Sequence, residues 1–185
     1  MRKRLIAAAT VALAALGSAG VAGAASAAPP TVPAPHAVDS RSAARPVGPD
    51  GKRINDGTFS WGTTSGITTF AFPGSRAFTG SFRASVNGAP FLNAAAGSIQ
   101  LNMTASNCTA AVPYIYVRLE RKVDAAYTDE GPAVYWPCRN AGQLQYTWTN
   151  QRADEFRFVF YRPSTANAAT TNNDWKYISG TAYFN

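Results

Sequence analysis

A period of two in the hydrophobic pattern constrains the fold of this chain more than any other feature of its sequence. Between residues 97 and 185, five segments alternate apolar side chains with mostly polar ones. The apolar sets are Ile99, Leu101 and Met103; Ile115, Val117 and Leu119; Leu144, Tyr146 and Trp148; Phe156, Phe158 and Phe160; and Ile178, Ala182 and Phe184. Because successive side chains of a β-strand point to opposite faces, this pattern predicts half-buried antiparallel strands.

Shorter segments add further strand candidates at Thr58–Trp61, Ile67–Phe72, Ala77–Ala84 and Ala133–Trp136. Turn-forming residues separate the segments, and Asn87-Gly88 predicts a tight type I′ turn. No helical pattern lies between the strands, which argues against a parallel α/β fold. The prediction is an all-β fold, an antiparallel β-sandwich of jelly-roll or immunoglobulin-like type with about eight or nine strands.

The first residues have the pattern of a secretory signal peptide, predicted here over residues 1–27. Arg2, Lys3 and Arg4 precede an Ala-rich apolar stretch, and Ala25-Ser26-Ala27 supplies a small-residue cleavage site. The stretch is long enough for a membrane anchor, but three glycines interrupt it and no aromatic belt flanks it. Cleavage would lower the formal charge from +7 to +4, since it removes three basic residues and no acidic one. We expect a secreted, extracellular protein with no membrane attachment after cleavage.

Residues 28–56 are rich in proline, lack aromatic residues and contain the only histidine, His36. Such a segment buries too little apolar surface to offset the entropy lost on ordering, so we expect a disordered Pro-rich linker. Every aromatic residue lies between Phe59 and Phe184, which places a single β-sandwich domain at 57–185. In a secreted chain, Cys108 and Cys138 are expected to form one disulfide bond.

Residues 57–185 contain no histidine, which excludes several kinds of catalytic and metal site from that domain. A Ser-His-Asp triad, a Cys-His pair and a His-ligated zinc site all need an imidazole. No glycine-rich phosphate-binding motif is present, and the basic residues are too scattered for a nucleic-acid surface. We therefore predict a protein that is not an enzyme and has no cofactor, no metal and no nucleic-acid partner.

Aromatic residues on the polar-facing side of a strand, after a polar run or at a strand end are the positive functional signal. Exposed rings can stack on sugar faces while losing little conformational entropy. The candidate ligand-binding residues are Tyr114, Tyr116, Arg118, Trp175, Tyr177 and Trp61. The competing interpretation is that these aromatics belong to the core or to cross-strand pairs. The leading hypothesis is a non-catalytic carbohydrate-binding module for a polysaccharide or cell-envelope glycan.

Two alternatives stay open. A secreted protein-interaction or hydrolase-inhibitor domain would present Asp124–Tyr135 as a loop held by the disulfide. A carboxylate-dependent hydrolase would need two acids at about 5–9.5 Å, one of them with a raised pKa. Asp124, Asp129 and Glu130 also lie in one predicted loop, but their spacing fits no calcium-loop motif.

Overall fold

The computed structural model describes residues 33–39, 43–62, 74–110, 112–139, 142–163 and 175–185. The predicted signal peptide and the strand candidate Ile67–Phe72 lie outside these residues. Within them the structure contains β-strands and no α-helix. The strands are β1 (His36–Val38), β2 (Thr58–Trp61), β3 (Gly74–Phe82), β4 (Ser85–Asn87), β5 (Phe91–Asn93), β6 (Gly97–Ser106), β7 (Tyr114–Val123), β8 (Ala126–Asp129), β9 (Ala133–Pro137), β10 (Leu144–Gln151), β11 (Asp154–Tyr161) and β12 (Lys176–Phe184).

The strands form two antiparallel sheets, one of seven strands and one of five. The seven-stranded sheet has the order β1-β9-β7-β11-β4, with β8 paired to β7 and β5 paired to β11. The five-stranded sheet has the order β10-β6-β12-β3-β2. This confirms the all-β prediction and is consistent with a β-sandwich.

The pairing is nested along the chain. β3 pairs with β12, the short β4 and β5 pair with β11, β6 pairs with β10, and β7 pairs with β9. From β3 to β12, the first and last strands are therefore partners, and each pair further inward encloses a shorter stretch of chain. Successive pairs alternate between the five-stranded and the seven-stranded sheet.

The alternating apolar side chains meet in one core that draws on both sheets. Phe78, Leu101 and Ile178 contribute from the five-stranded sheet, and Val117 and Phe158 contribute from the seven-stranded sheet. All five are almost completely buried. The sequence alternation thus identified the core side of each long strand correctly.

The expected disulfide joins Cys108 to Cys138, whose Cα atoms lie 6.0 Å apart. It connects the segment after β6 to the residue after β9, and both cysteines pack against the core. The bond therefore links the two sheets at one end. Across the described part of the chain, no helix is long and apolar enough to cross a membrane.

Part of the segment expected to be a disordered linker is ordered on the domain, which corrects that expectation. β1 pairs with β9, Ala43 is fully buried, and Arg45 and Arg53 both form ion pairs with Glu120. The compact unit accordingly begins at Val32 rather than at 57. We call residues 33–39 and 43–54 the N-terminal strap.

The turn predicted at Asn87-Gly88 is wrong. Asn87 pairs with Val159 at the end of β4, and the amide of Gly88 donates to the carbonyl of Phe158 at 2.7 Å. The chain therefore continues along β11 instead of reversing there. A two-residue turn is found instead at Asp124-Ala125, between β7 and β8, where Asp124 has a φ of 53°.

Candidate functional site

The outward side chains of the five-stranded sheet form an uncharged surface, which we call the hydroxyl face. Register places them in rows that cross the strands. The rows are Thr104, Ser179, Thr79 and Ser60; Ser106, Tyr177, Ser81 and Thr58; Gln145, Asn102, Thr181 and Ala77; and Thr147, Gln100, Tyr183 and Ser75. None of these positions holds a charged residue, and nearly all carry a hydroxyl or an amide.

Tyr177 is the most exposed aromatic residue on this face, with 51% of its surface accessible. Its neighbours across the strands are Ser81 and Ser106. Some side chains of the face bond to one another, as in the 3.1 Å contact between the Thr58 and Ser81 hydroxyls. Thr79 and Ser179, one row away, are exposed and open to a ligand.

Trp175 lies at one end of the hydroxyl face, immediately before β12. The guanidinium of Arg83 stacks over its ring at 4.8 Å from the ring centroid. The side-chain amide of Asn107 donates a 2.6 Å hydrogen bond to the Trp175 carbonyl. Trp175 as a whole is only partly buried. Trp175 and Tyr177 therefore lie at the same end of β12, two residues apart.

Tyr114, Tyr116 and Arg118 lie on the other sheet, and the exposure expected for them is wrong. Tyr116 and Arg118 are each only 6% accessible, and Tyr114 is half-buried. Their side chains do point away from the core between the sheets, but the strap covers them. The structure therefore does not bring these three residues together with Trp175 and Tyr177.

Trp61 was also predicted to be a ligand-binding aromatic, but the structure places it against the core. It packs against the core, edge-on to Phe59, Phe78 and Phe91. Its indole nitrogen donates to the carbonyl of Ala89 at 3.2 Å. Trp61 therefore closes one end of the core rather than presenting its ring to a ligand.

A row of rings crosses the outer face of the seven-stranded sheet, and its first ring belongs to the strap itself. His36, Tyr135, Tyr116 and Tyr161 follow one another on β1, β9, β7 and β11. The rings of His36 and Tyr135 stack at 4.9 Å, and those of Tyr116 and Tyr161 lie 5.5 Å apart. Burial is the main cause that raises the pKa of Tyr116 to about 12.

Glu120 is the electrostatic centre of the same face. It is fully buried, and its carboxylate pairs with Arg45, with Arg53 at 3.0 Å and with Arg157 at 2.7 Å. Burial lowers the pKa of Arg45, while the charge of Glu120 opposes that shift. Two of these arginines belong to the strap, so the carboxylate holds the strap to the sheet.

An open groove of about 590 Å³ lies near the β7–β8 turn. The exposed Leu92 and Val123 line it together with Asp124, Asp154 and Glu155. A hydrogen bond from the Glu155 amide, followed by one from Arg121, lowers the pKa of Asp154. Hydrogen bonds from Tyr127 and Lys122 lower the pKa of Glu155. Neither carboxyl group has the raised pKa that a general acid needs.

The region expected to be one loop, Asp124–Tyr135, contains β8 and the start of β9, which corrects that expectation. Asp129 pairs with Arg118, and Glu130 pairs with Arg121 at 2.9 Å. Within the described ranges, no group of three or more His, Cys, Asp or Glu residues is placed to hold a metal ion.

The hydroxyl face was missed as a site, although the sequence contains its pattern. The outward positions of β6 are Ser98, Gln100, Asn102, Thr104 and Ser106. A solvated sheet face usually carries charged residues, so five consecutive uncharged polar positions are an unusual choice. No protein-family model matches the chain, and no curated protein sequence matches it significantly.

Proposed function

We propose that this protein is a secreted, non-catalytic module that binds a neutral glycan on its hydroxyl face. The observation that carries the proposal is the combination of an uncharged hydroxyl and amide surface across five strands with the half-exposed ring of Tyr177. Hydroxyl and amide groups both donate and accept hydrogen bonds, as sugar hydroxyls do. A phenol ring adds a rigid apolar surface for the flat side of a pyranose.

The absence of charge from the named rows favours a neutral ligand. An anionic polysaccharide would gain from basic side chains near its acidic groups. Arg83, which follows β3 at the end of the face, is engaged with Trp175. Cellulose, chitin and the glycan strands of peptidoglycan are therefore the first ligands to test.

Two further features support the finer parts of this proposal. Nested pairs that alternate between two sheets are the arrangement expected of a jelly roll, which favours that type over an immunoglobulin-like sandwich. The disulfide and the signal-peptide pattern together favour an oxidising, extracellular location.

The test is retention of the protein on insoluble cellulose, chitin and peptidoglycan, measured for wild type and Tyr177→Ala. We expect wild type to bind one of them and Tyr177→Ala to bind about tenfold more weakly, which corresponds to burial of half a tyrosine side chain. Leu92→Ala is the matched control, because Leu92 is 63% exposed on the other sheet. No retention of wild type on any of the three would refute the proposal.

A protein-interaction function is the second candidate, and the groove favours it. Leu92 and Val123 are exposed apolar residues that line one concave surface. If this function is correct, the protein inhibits an extracellular hydrolase, and Leu92→Ala weakens the inhibition. Unchanged activity across a panel of proteases and glycosidases at micromolar protein would count against it.

A further inference from the structure

The N-terminal strap lies on the seven-stranded sheet as a bound peptide would. β1 adds to the edge of the sheet by antiparallel pairing, with His36 opposite Tyr135 and Val38 opposite Ala133. Addition of an extended segment to a sheet edge is a recurring mode of peptide recognition. Backbone pairing holds the segment, and side-chain pockets beside the edge can then select its sequence.

Ala43 occupies one such pocket. Its methyl group is fully buried and clusters with Tyr116, Ala133, Val159 and Tyr161. Its carbonyl accepts a 2.9 Å hydrogen bond from the Tyr161 hydroxyl and a 3.3 Å bond from the Arg118 guanidinium. The pocket therefore accepts a small side chain and fixes the peptide group that follows it.

Arg45 occupies a second pocket two residues further on. Its guanidinium donates to the Glu120 carboxylate and, at 3.0 Å, to the Asn87 side-chain oxygen. The side chain is 6% accessible, and Glu120 is fully buried. The two terminal nitrogens of the guanidinium reach two different acceptors, the Glu120 carboxylate and the Asn87 side-chain oxygen, and this fixed fork favours arginine over lysine.

The strap is separable from the core between the sheets. Val38 and Ala43 belong to an outer cluster with the tyrosines, and neither is part of the main core cluster. β1 contains only three residues and has a single partner strand. Displacement of the strap would therefore uncover the tyrosine row without opening the core.

We infer that this cleft is a binding site for an extended polypeptide with a small residue followed two positions later by arginine, and that its ligand in trans is the strap of a second copy of this chain. Each copy carries both the cleft and the segment that fits it. Reciprocal exchange would produce a two-fold symmetric dimer with two equivalent interfaces.

The test uses the full chain and a fluorescein-labelled peptide with the sequence of residues 33–47. Ala43→Lys in the chain is the releasing variant, because a lysine does not fit the pocket and brings a positive charge to Arg118. Arg45→Ala is a milder second variant that leaves Arg53 and Arg157 to pair with Glu120. The same peptide carrying Ala43→Lys is the matched control ligand, and binding is measured by fluorescence anisotropy.

We expect Ala43→Lys and Arg45→Ala to bind the native peptide at least tenfold more tightly than wild type, whose cleft its own strap occupies. The control peptide should bind none of the three proteins. Equal binding to wild type and variants, or no binding to variants that keep a cooperative thermal transition, overturns the inference. If both variants lose that transition, the strap is an integral part of the fold and the inference is also wrong.

Discussion

Glu120 shows at the scale of one residue how the outer face of the seven-stranded sheet is held together. Its buried carboxylate faces Arg45, Arg53 and Arg157, which come from the strap and from β11. A carboxylate without these partners would be costly to bury. Conversely, Arg45 depends on Glu120, because its side chain is nearly as deeply buried.

We predict that Glu120→Gln lowers the free energy of unfolding by about 3 kcal/mol, because it leaves Arg45 without a counter-charge in a buried site. Arg53 and Arg157 are more exposed, so water can solvate their charges when Glu120 is replaced. The loss therefore stays at the lower end of the range for breaking a buried ion pair. Chemical denaturation followed by tryptophan fluorescence measures the change. Glu130→Gln, on a partly exposed ion pair, should cost less than about 1 kcal/mol. Equal losses for the two variants would contradict the prediction.

The raised pKa of the Tyr116 hydroxyl determines how we expect the free energy of unfolding to change at alkaline pH. Burial and a hydrogen bond with Tyr114 raise its pKa from the ordinary 10.0 to about 12. The unfolded chain therefore loses this proton at a lower pH than the folded chain. The resulting stability is fully present below pH 10 and is lost as the pH rises through about 12. Denaturation curves should show a smaller alkaline loss for Tyr116→Phe than for wild type, and parallel losses would contradict the assignment.

At the scale of the element, β12 is the central strand of the five-stranded sheet, and Gly180 lets it pack closely against β6. A Cβ atom at Gly180 would overlap the carbonyl oxygen of Asn102 and lie 2.6 Å from the Cβ of Met103. β6 and β12 run beside each other along most of their length. Any side chain at this position therefore forces the two strands apart.

We expect Gly180→Ala to lower the free energy of unfolding by about 3 kcal/mol, the upper range for overpacking, since the atoms that must move belong to backbone. Ser179→Ala is the control on the neighbouring residue, whose side chain is exposed. It should change stability by less than about 0.5 kcal/mol. A Gly180→Ala protein as stable as wild type would show that the strands can separate without loss.

The long strands could be predicted because their alternation is strict, as in Ile99, Leu101 and Met103. The three-residue β4 and β5 were missed, since Gly88, Ala89 and Pro90 between them carry no strand pattern. Alternation also distinguishes the two faces of a strand, but it does not predict which segment of the chain packs on the polar face. Tyr116 and Arg118 lie on the outward face of β7 as predicted, but they are buried there.

At the scale of the whole molecule, the outer faces of the two sheets differ in their charge and in what covers them. The outer face of the five-stranded sheet is uncharged along its rows, whereas that of the seven-stranded sheet carries ion pairs and is covered by the strap. The cover could not be predicted, because Arg45 meets Glu120 across 75 residues of sequence and a Pro-rich segment contains no periodic pattern. The site residues on β12 and those on β7 were therefore grouped together, although the core lies between them.

Because the strap and both sheets form one compact unit from Val32 to Asn185, we expect a single cooperative unfolding transition. Glu120 and Gly180 belong to different sheets, and packed sheets lie about 10 Å apart. The losses from Glu120→Gln and Gly180→Ala should therefore add within about 0.5 kcal/mol in the double variant. Chemical denaturation of the wild type, the two single variants and the double variant at one pH completes this double-mutant cycle. A coupling above about 1 kcal/mol would mean that the strap and the hydroxyl face respond to each other through the core, whereas a second transition would mean that part of the chain unfolds separately.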